Sequence, residues 1–171
     1  MNRRTISIID TFDKWAIGGK DRGMEKGHSD SVMHMIDIVR CESIISENPF
    51  SALDLGCGNG WMAREIKLIP NCKYMLGIDG SRAMIENARN TDPSGEYLTA
   101  DINKWVPENK FNLVMSMEVF YYLEKPKDII SKIYSQFLHS PGMLVIGIDH
   151  YKENIPSLTW PHDLNLDLRT F

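Results

Sequence analysis

From Phe50 onward, short apolar runs alternate with stretches whose apolar residues recur every three or four positions. Residues 51–56 (SALDLG) have the length and composition of a buried strand, and residues 59–69 follow as a helix with Met62, Ile66 and Ile69 on one face. Residues 73–79 (KYMLGID) read as a second strand, and residues 81–90 as a second helix with Ser81 at its cap. A short third strand falls at 95–101 (GEYLTAD). The fourth, at 111–118 (FNLVMSME), is almost continuously apolar, as a strand covered on both faces should be. Residues 126–138 form another helical pattern, with Ile129, Ile130, Ile133 and Phe137 as its apolar face, and residues 141–149 close the run as a fifth strand. Strand regularly followed by helix predicts βαβ units, hence an α/β fold: a mostly parallel twisted sheet with helices on both faces. In such sheets ligands bind beyond the carboxyl ends of the strands, where the strand order reverses.

The ends of the chain are patterned differently. Residues 16–30 (AIGGKDRGMEKGHSD) are polar and punctuated by glycine. A helix is expected only after a cap at Ser29 or Asp30, carried by Val32, Met35, Ile36, Val39, Ile44 and Ile45 and ended by Asn48-Pro49. Residues 150–171, with Pro156, Trp160 and Pro161, show little period and read as a loop or an extension. The expected organisation is one domain over 1–171: an N-terminal lid and helix at 1–48, a core at 50–149, and a C-terminal extension at 150–171.

Composition changes this picture in few ways. With 43% hydrophobic residues in 171, a real core is expected. A net charge of −4 gives no basic footprint and argues against a nucleic-acid partner. Cys41, Cys57 and Cys72 are odd in number and form no CxxC pair, so neither a disulfide framework nor a metal site is expected. No stretch approaches the roughly 20 apolar residues of a spanning helix, and the N-terminus lacks the apolar core of a signal peptide. A soluble, cytoplasmic protein is the expectation.

The chemistry concentrates at strand ends. Gly56, Gly58 and Gly60 follow the first strand and precede a helix, where missing side chains let a ligand approach the backbone. That pattern alone also fits a dinucleotide. Asp54 lies inside the end of the first strand, an acid suited to an ammonium group and repellent to phosphate. Asp79 ends the second strand, where a carboxylate accepts ribose hydroxyls, and Asp101 ends the third, where one accepts from an adenine amine.

Taken in order, LDLGCGNG, GIDGS, TADI, FNLVMSMEVFYYL and PGMLVIG resemble the five motifs of the class I S-adenosylmethionine-dependent methyltransferase family, over about residues 50–148. The resemblance implies a Rossmann-like methyltransferase fold and S-adenosyl-L-methionine as cofactor, with S-adenosyl-L-homocysteine as product. By position it implies that Gly56, Gly58 and Gly60 pass under the methionine portion, with Cys57 and Asn59 carried in the same turn and Asp54 near the amino group. Asp79 would hold the ribose beside Gly80 and Ser81, Asp101 and Ile102 would flank the adenine, and Ser116, Met117 and Glu118 would face the sulfonium. Cys57 reads as a small spacer.

Methyl transfer from a sulfonium needs mainly alignment, with a general base only where the acceptor carries a proton. Candidates for that base are His28, Tyr121 and His150, and of the Tyr121-Tyr122 pair one is expected to face the pocket. Trp15, Lys20, Arg22 and His28 cluster in the segment that folds over the cofactor in family members. The acceptor is unidentified, with a small molecule preferred. The family pattern usually adds two strands after the fifth, and only 22 residues follow Asp149. A sheet truncated at its C-terminal strands would leave an uncovered edge and invite a homodimer. It also sustains an alternative, a non-catalytic cofactor-binding regulatory or partner subunit. A nicotinamide-dependent oxidoreductase is the remaining rival.

Overall fold

The alternation of apolar runs builds five parallel strands wrapped by helices, in a computed structural model that describes residues 8–148. The strands are β1 (Phe50–Leu55), β2 (Cys72–Asp79), β3 (Glu96–Thr99), β4 (Phe111–Met117) and β5 (Leu138–Gly147). They lie in the order β3-β2-β1-β4-β5, and every neighbouring pair is parallel. The chain therefore runs outward from β1 to β3 and returns to the other side of β1 for β4. That reversal opens a crevice at the carboxyl ends of β1 and β4, the ligand position of doubly wound sheets.

The helices are α1 (Ile8–Ile17), α2 (Asp21–Cys41), the short α3 (Ser43–Ser46), α4 (Trp61–Lys67), α5 (Arg82–Thr91) and α6 (Pro126–Lys132). Alternation along the central strands divides the core between the two sheet faces. Ala52, Leu113 and Met115 pack with Val32 and Ile36 of α2, Ile66 of α4 and Ile85 of α5. Leu53, Leu55 and Val114 pack on the opposite face with Ile129, Ile133 and Phe137. Asp54 shares the parity of Ala52, so it belongs to the α2–α4 side of the sheet, among Met24 and Asp21 of α2 and Trp61 and Met62 of α4.

Three expectations are corrected. The helix expected to start at Ser29 or Asp30 begins at Asp21, so residues 21–30 are helical. Asp21, Met24, His28, Val32, Met35 and Val39 form one continuous helical stripe, which Asp21 and His28 make polar in its first half. The stripe turns polar where α2 leaves the sheet and crosses the crevice, and Gly23 and Gly27, each costing about 0.5–1 kcal/mol in a helix, further disguise it. The helix expected over 126–138 stays α-helical only to Lys132. Ile133–Phe137 then widen into a π turn in which the Leu138 N–H bonds the Ile133 carbonyl. This keeps Ile133 and Phe137 buried and leaves Ile130 40% exposed, off the apolar face assigned to it. The extension at 150–171, its effect on the β5 edge, and His150 lie outside the described residues. No helix among the described residues is long and apolar enough to cross a membrane.

Candidate functional site

The turn after β1 is built for close approach. Gly56 has φ 82°, and a Cβ there would land on the Val119 side chain. Gly60, at φ 77°, lies against the Tyr97 ring, with Tyr97 Cε1 2.5 Å from where its Cβ would be. The Gly56 and Cys57 N–H groups both donate to the Ile78 carbonyl, at 2.8 and 2.9 Å, which ties the turn to the end of β2. Asp79 completes the tie: its carboxylate accepts from the Gly58 N–H at 2.9 Å and the Ser81 N–H at 2.8 Å. One side chain thus braces two turns at the crest of the sheet.

A cavity of about 300 Å³ opens over this crest, with Asp79, Gly80, Asp101 and Ile102 along it and Ile8, Ile9 and Phe12 of α1 as its roof. A smaller chamber of about 60 Å³ lies beside it, lined by Asp54, Cys57, Asn59 and Trp61 and, from α2, Asp21 and His28. Met24, Gly56, Gly58, Met117 and Glu118 line both, so the two chambers form one bent site. The roof is latched. Asp13 of α1 accepts from the Ser81 hydroxyl at 2.5 Å and the Ala83 N–H at 3.1 Å, and the Asn87 amide donates to the Ala16 carbonyl and to Asp21.

The lining is acidic. Asp54, Asp79, Asp101, Glu118 and Asp21 all reach it, and among the described residues neither chamber is lined by lysine or arginine. Such walls suit a cationic ligand and oppose a pyrophosphate, which separates this site from a dinucleotide cleft. Asp54 is fully buried, and neither carboxylate oxygen has a hydrogen-bond partner. Burial pushes its carboxyl up to about 8 and the charge of Asp79 adds to this; the Ala63 backbone N–H, which falls outside hydrogen-bond geometry to either oxygen, offsets them only in part. Burial raises Asp79 as well, against the Ser81 and Gly58 N–H groups. Asp101 is held low by the Asn103 backbone N–H, with the Asn103 side chain and Lys104 assisting. Burial and the charges of Asp54 and Asp79 push the Cys57 thiol well up, which keeps it protonated and fits a spacer.

The proton that Asp54 retains in the folded chain couples stability to pH. An unfolded carboxyl ionises near pH 4. Between roughly pH 4 and 8 the unfolded chain sheds a proton that the folded chain keeps, so the stability this provides is full below that window and lost as pH rises through about 8. The ligand-free protein should therefore melt at a lower temperature near pH 8 than near pH 6, and Asp54→Asn should flatten that slope. Thermal unfolding of both chains across this range is the check. A native profile as flat as the variant's would mean that Asp54 ionises normally.

Most of the residues expected at the site converge on it. Gly56, Gly58, Asp79, Gly80, Ser81, Asp101, Ile102, Met117 and Glu118 line the larger chamber, and Asp54, Cys57, Asn59 and His28 the smaller. Four do not. Ser116 is buried and donates its hydroxyl to the Leu55 carbonyl at 2.7 Å, because strand alternation turns it away from Met117. Gly60 caps α4 and packs on Tyr97 outside both chambers. Tyr121 is buried and donates to Glu118 at 2.8 Å, while its neighbour Tyr122 lines the larger chamber with Phe12 edge-on at 5.3 Å. Burial drives the Tyr121 hydroxyl far up, so it stays protonated. His150 lies outside the described residues. Of the dense N-terminal group only His28 reaches a chamber; Lys20 and Arg22 are exposed and Trp15 packs on Phe12.

Sequence reasoning missed Asp21, Met24, Asp13 and the α1 roof. The one available signal was helical spacing from Asp21 to Val32, which polar residues concealed. Glu118 was expected there, but not its backbone: it has φ 59°, the one non-glycine residue in the left-handed region among those described. Such strain collects at functional sites.

Residues 53–154, more than half of the chain, match the methyltransferase domain family. The chain belongs to that family. Its architecture is that of the class I S-adenosylmethionine-dependent methyltransferases, whose cofactor is S-adenosylmethionine. A malonyl-[acyl-carrier protein] O-methyltransferase of Halalkalibacterium halodurans is 30% identical over 109 residues, 59% of this chain and 40% of that protein. A trans-aconitate 2-methyltransferase of Escherichia coli is 31% identical over 100 residues, 58% of this chain and 39% of that protein. The methyltransferase solved in complex with the Haloferax volcanii Trm112 activator superposes with a TM-score of 0.73 at 27% identity, covering 91% of this chain and 68% of its own. Other chains of this methyltransferase fold were solved with S-adenosylhomocysteine bound. The chain spans about two fifths of the length of these two curated methyltransferases.

Proposed function

We propose that this chain binds S-adenosylmethionine in the bent site and transfers its methyl group to a small-molecule acceptor. The observation that carries the reading is the convergence of three strand-end carboxylates, Asp54, Asp79 and Asp101, on a glycine turn whose backbone is open to a ligand. When bound, the cofactor supplies an already activated methyl group. The chain's own work is then to bind, orient and exclude water. Asp79 accepts the ribose hydroxyls while bracing Gly58 and Ser81. Asp101 and Ile102 border the adenine, and Gly56 and Gly58 pass beneath the amino-acid portion beside Asp54. Met117 and Glu118, at the bend between the chambers, face the sulfonium, and Tyr121 orients the Glu118 carboxylate. For an acceptor that carries a proton, His28, at the wall of the smaller chamber, is the candidate base. The two curated relatives are named for small carboxylic acceptors or their carrier-bound form, which supports a metabolite acceptor. The free cysteines Cys41, Cys57 and Cys72 fit a reducing, cytoplasmic setting.

The test is thermal unfolding with S-adenosylmethionine or NAD, followed by incubation of methyl-labelled cofactor with a panel of small metabolites. Only a ligand of the native state raises the melting temperature. Stabilisation by S-adenosylmethionine alone and label transfer to a panel member are expected; stabilisation by NAD instead would overturn the reading. The likeness to a chain solved with an activator favours a second arrangement, in which turnover needs a partner subunit. Binding of donor and demethylated product without any transfer would point there.

A further inference from the structure

Three buried side-chain oxygens among the described residues lack any hydrogen-bond partner: Asp54 Oδ1, Asp54 Oδ2 and Asp21 Oδ1. All belong to residues lining the 60 Å³ chamber, one on the central strand and the other on α2, 33 positions apart in sequence. A buried carboxylate oxygen without a partner is costly, and native proteins leave few. Two on one carboxylate and a third across the same small chamber therefore ask for a common occupant. A primary ammonium has three N–H donors and one positive charge, and a chamber of 60 Å³ is roomy enough for a group of that size. We infer that Asp21 and Asp54 together form a receptor for a primary ammonium group, which the α-ammonium of the cofactor fills. The inference rests on the cofactor reading above and adds Asp21, a residue of the covering helix, to it.

The setting of Asp21 fits this role. It is 5% exposed, and its Oδ2 accepts from the Asn59 amide and the Asn87 amide, both at 3.2 Å. Asn59 belongs to the glycine turn and Asn87 to α5, so Asp21 is fixed from two sides while Oδ1 is left for the chamber. Asn59 also bonds the Trp61 N–H through Oδ1, which orients its amide with the nitrogen toward Asp21. An ammonium in the receptor would join α2 to β1, closing the helix over the amino-acid end of the ligand. Burial raises the Asp54 carboxyl, and a cation held beside it would draw it back down.

The test compares S-adenosylhomocysteine with 5′-methylthioadenosine, which keeps the nucleoside and thioether and lacks the amino acid. Asp21→Asn preserves an oxygen to accept from Asn59 and Asn87 and removes the charge. Calorimetry should show S-adenosylhomocysteine binding weakened by about 10- to 100-fold and methylthioadenosine binding unchanged. Unchanged affinity for both ligands would overturn the inference, with water as the chamber's occupant. Equal weakening of both would overturn it too, because Asp21 would then only seat α2. Should the variant not fold, the native chain serves: the desamino analogue of S-adenosylhomocysteine should bind about 10- to 100-fold more weakly than the parent, and equal affinity would refute the receptor. A native chain that binds methylthioadenosine but gains nothing from the amino acid overturns this inference alone. One that binds neither ligand overturns the cofactor reading with it.

Discussion

Asp79→Ala is expected to lower the affinity for S-adenosylmethionine by about 10- to 100-fold, the effect of losing a charge-assisted bond of about 1.5–3 kcal/mol. Two losses act together. On the proposed reading the ribose loses its acceptor, and the Gly58 and Ser81 N–H groups lose the carboxylate that holds the two turns in register. The fold should survive, because Asp79 lies at the cavity edge and the Ile78 carbonyl still anchors Gly56 and Cys57. Calorimetric titration of a variant with native-like circular dichroism is the measurement. Unaltered affinity in such a variant would remove Asp79 from the site.

Gly56→Ala should do more, since it strikes both stability and binding. A non-glycine residue at φ 82° costs about 1–2 kcal/mol. The added methyl also drives into Val119, an overlap of the kind that costs about 1–3 kcal/mol. At ~2–4 °C per kcal/mol for a chain of this size, the melting temperature should fall by about 4–20 °C. Val119 lines the larger chamber, so its displacement should also weaken S-adenosylmethionine binding at least ~10-fold. Gly27→Ala supplies the contrast. It lies within α2, a Cβ there meets nothing within 4 Å, and a gain of about 0.5–1 kcal/mol is expected. Equal melting temperatures for the two variants would contradict the close-approach argument.

These two glycines show why the sequence was legible in some places and opaque in others. Gly56 follows and Asp79 ends an apolar run that reads as a strand, and Asp101 follows the short β3, on which only Tyr97 is buried, so their place at the crest was readable from the order of strands and helices. Ser81 announced its helix in the same way and does cap it, accepting from the Met84 N–H at 3.1 Å. Ser116 was misplaced although its period was available: it shares the parity of Val114 and so belongs to the face packed by α6. Tyr121 and Tyr122 sit in a single turn of 3-10 helix, where no sequence period decides which ring faces inward. The covering helices were hidden for a different reason. A stripe that spans a binding site must carry polar residues, so the part of α2 that matters most, Asp21 to His28, looks like a solvated loop. Propensity reads burial against apolar neighbours and is blind to burial against a ligand.

The Ser81 hydroxyl belongs to two structures at once. It takes the Met84 N–H as the cap of α5 and gives its own proton to Asp13 of α1, whose carboxylate also holds the Ala83 N–H. The Ala83 amide is thus shielded only while α1 stays seated. Deuterium uptake at that one backbone position therefore meters how often the roof lifts, independently of any turnover.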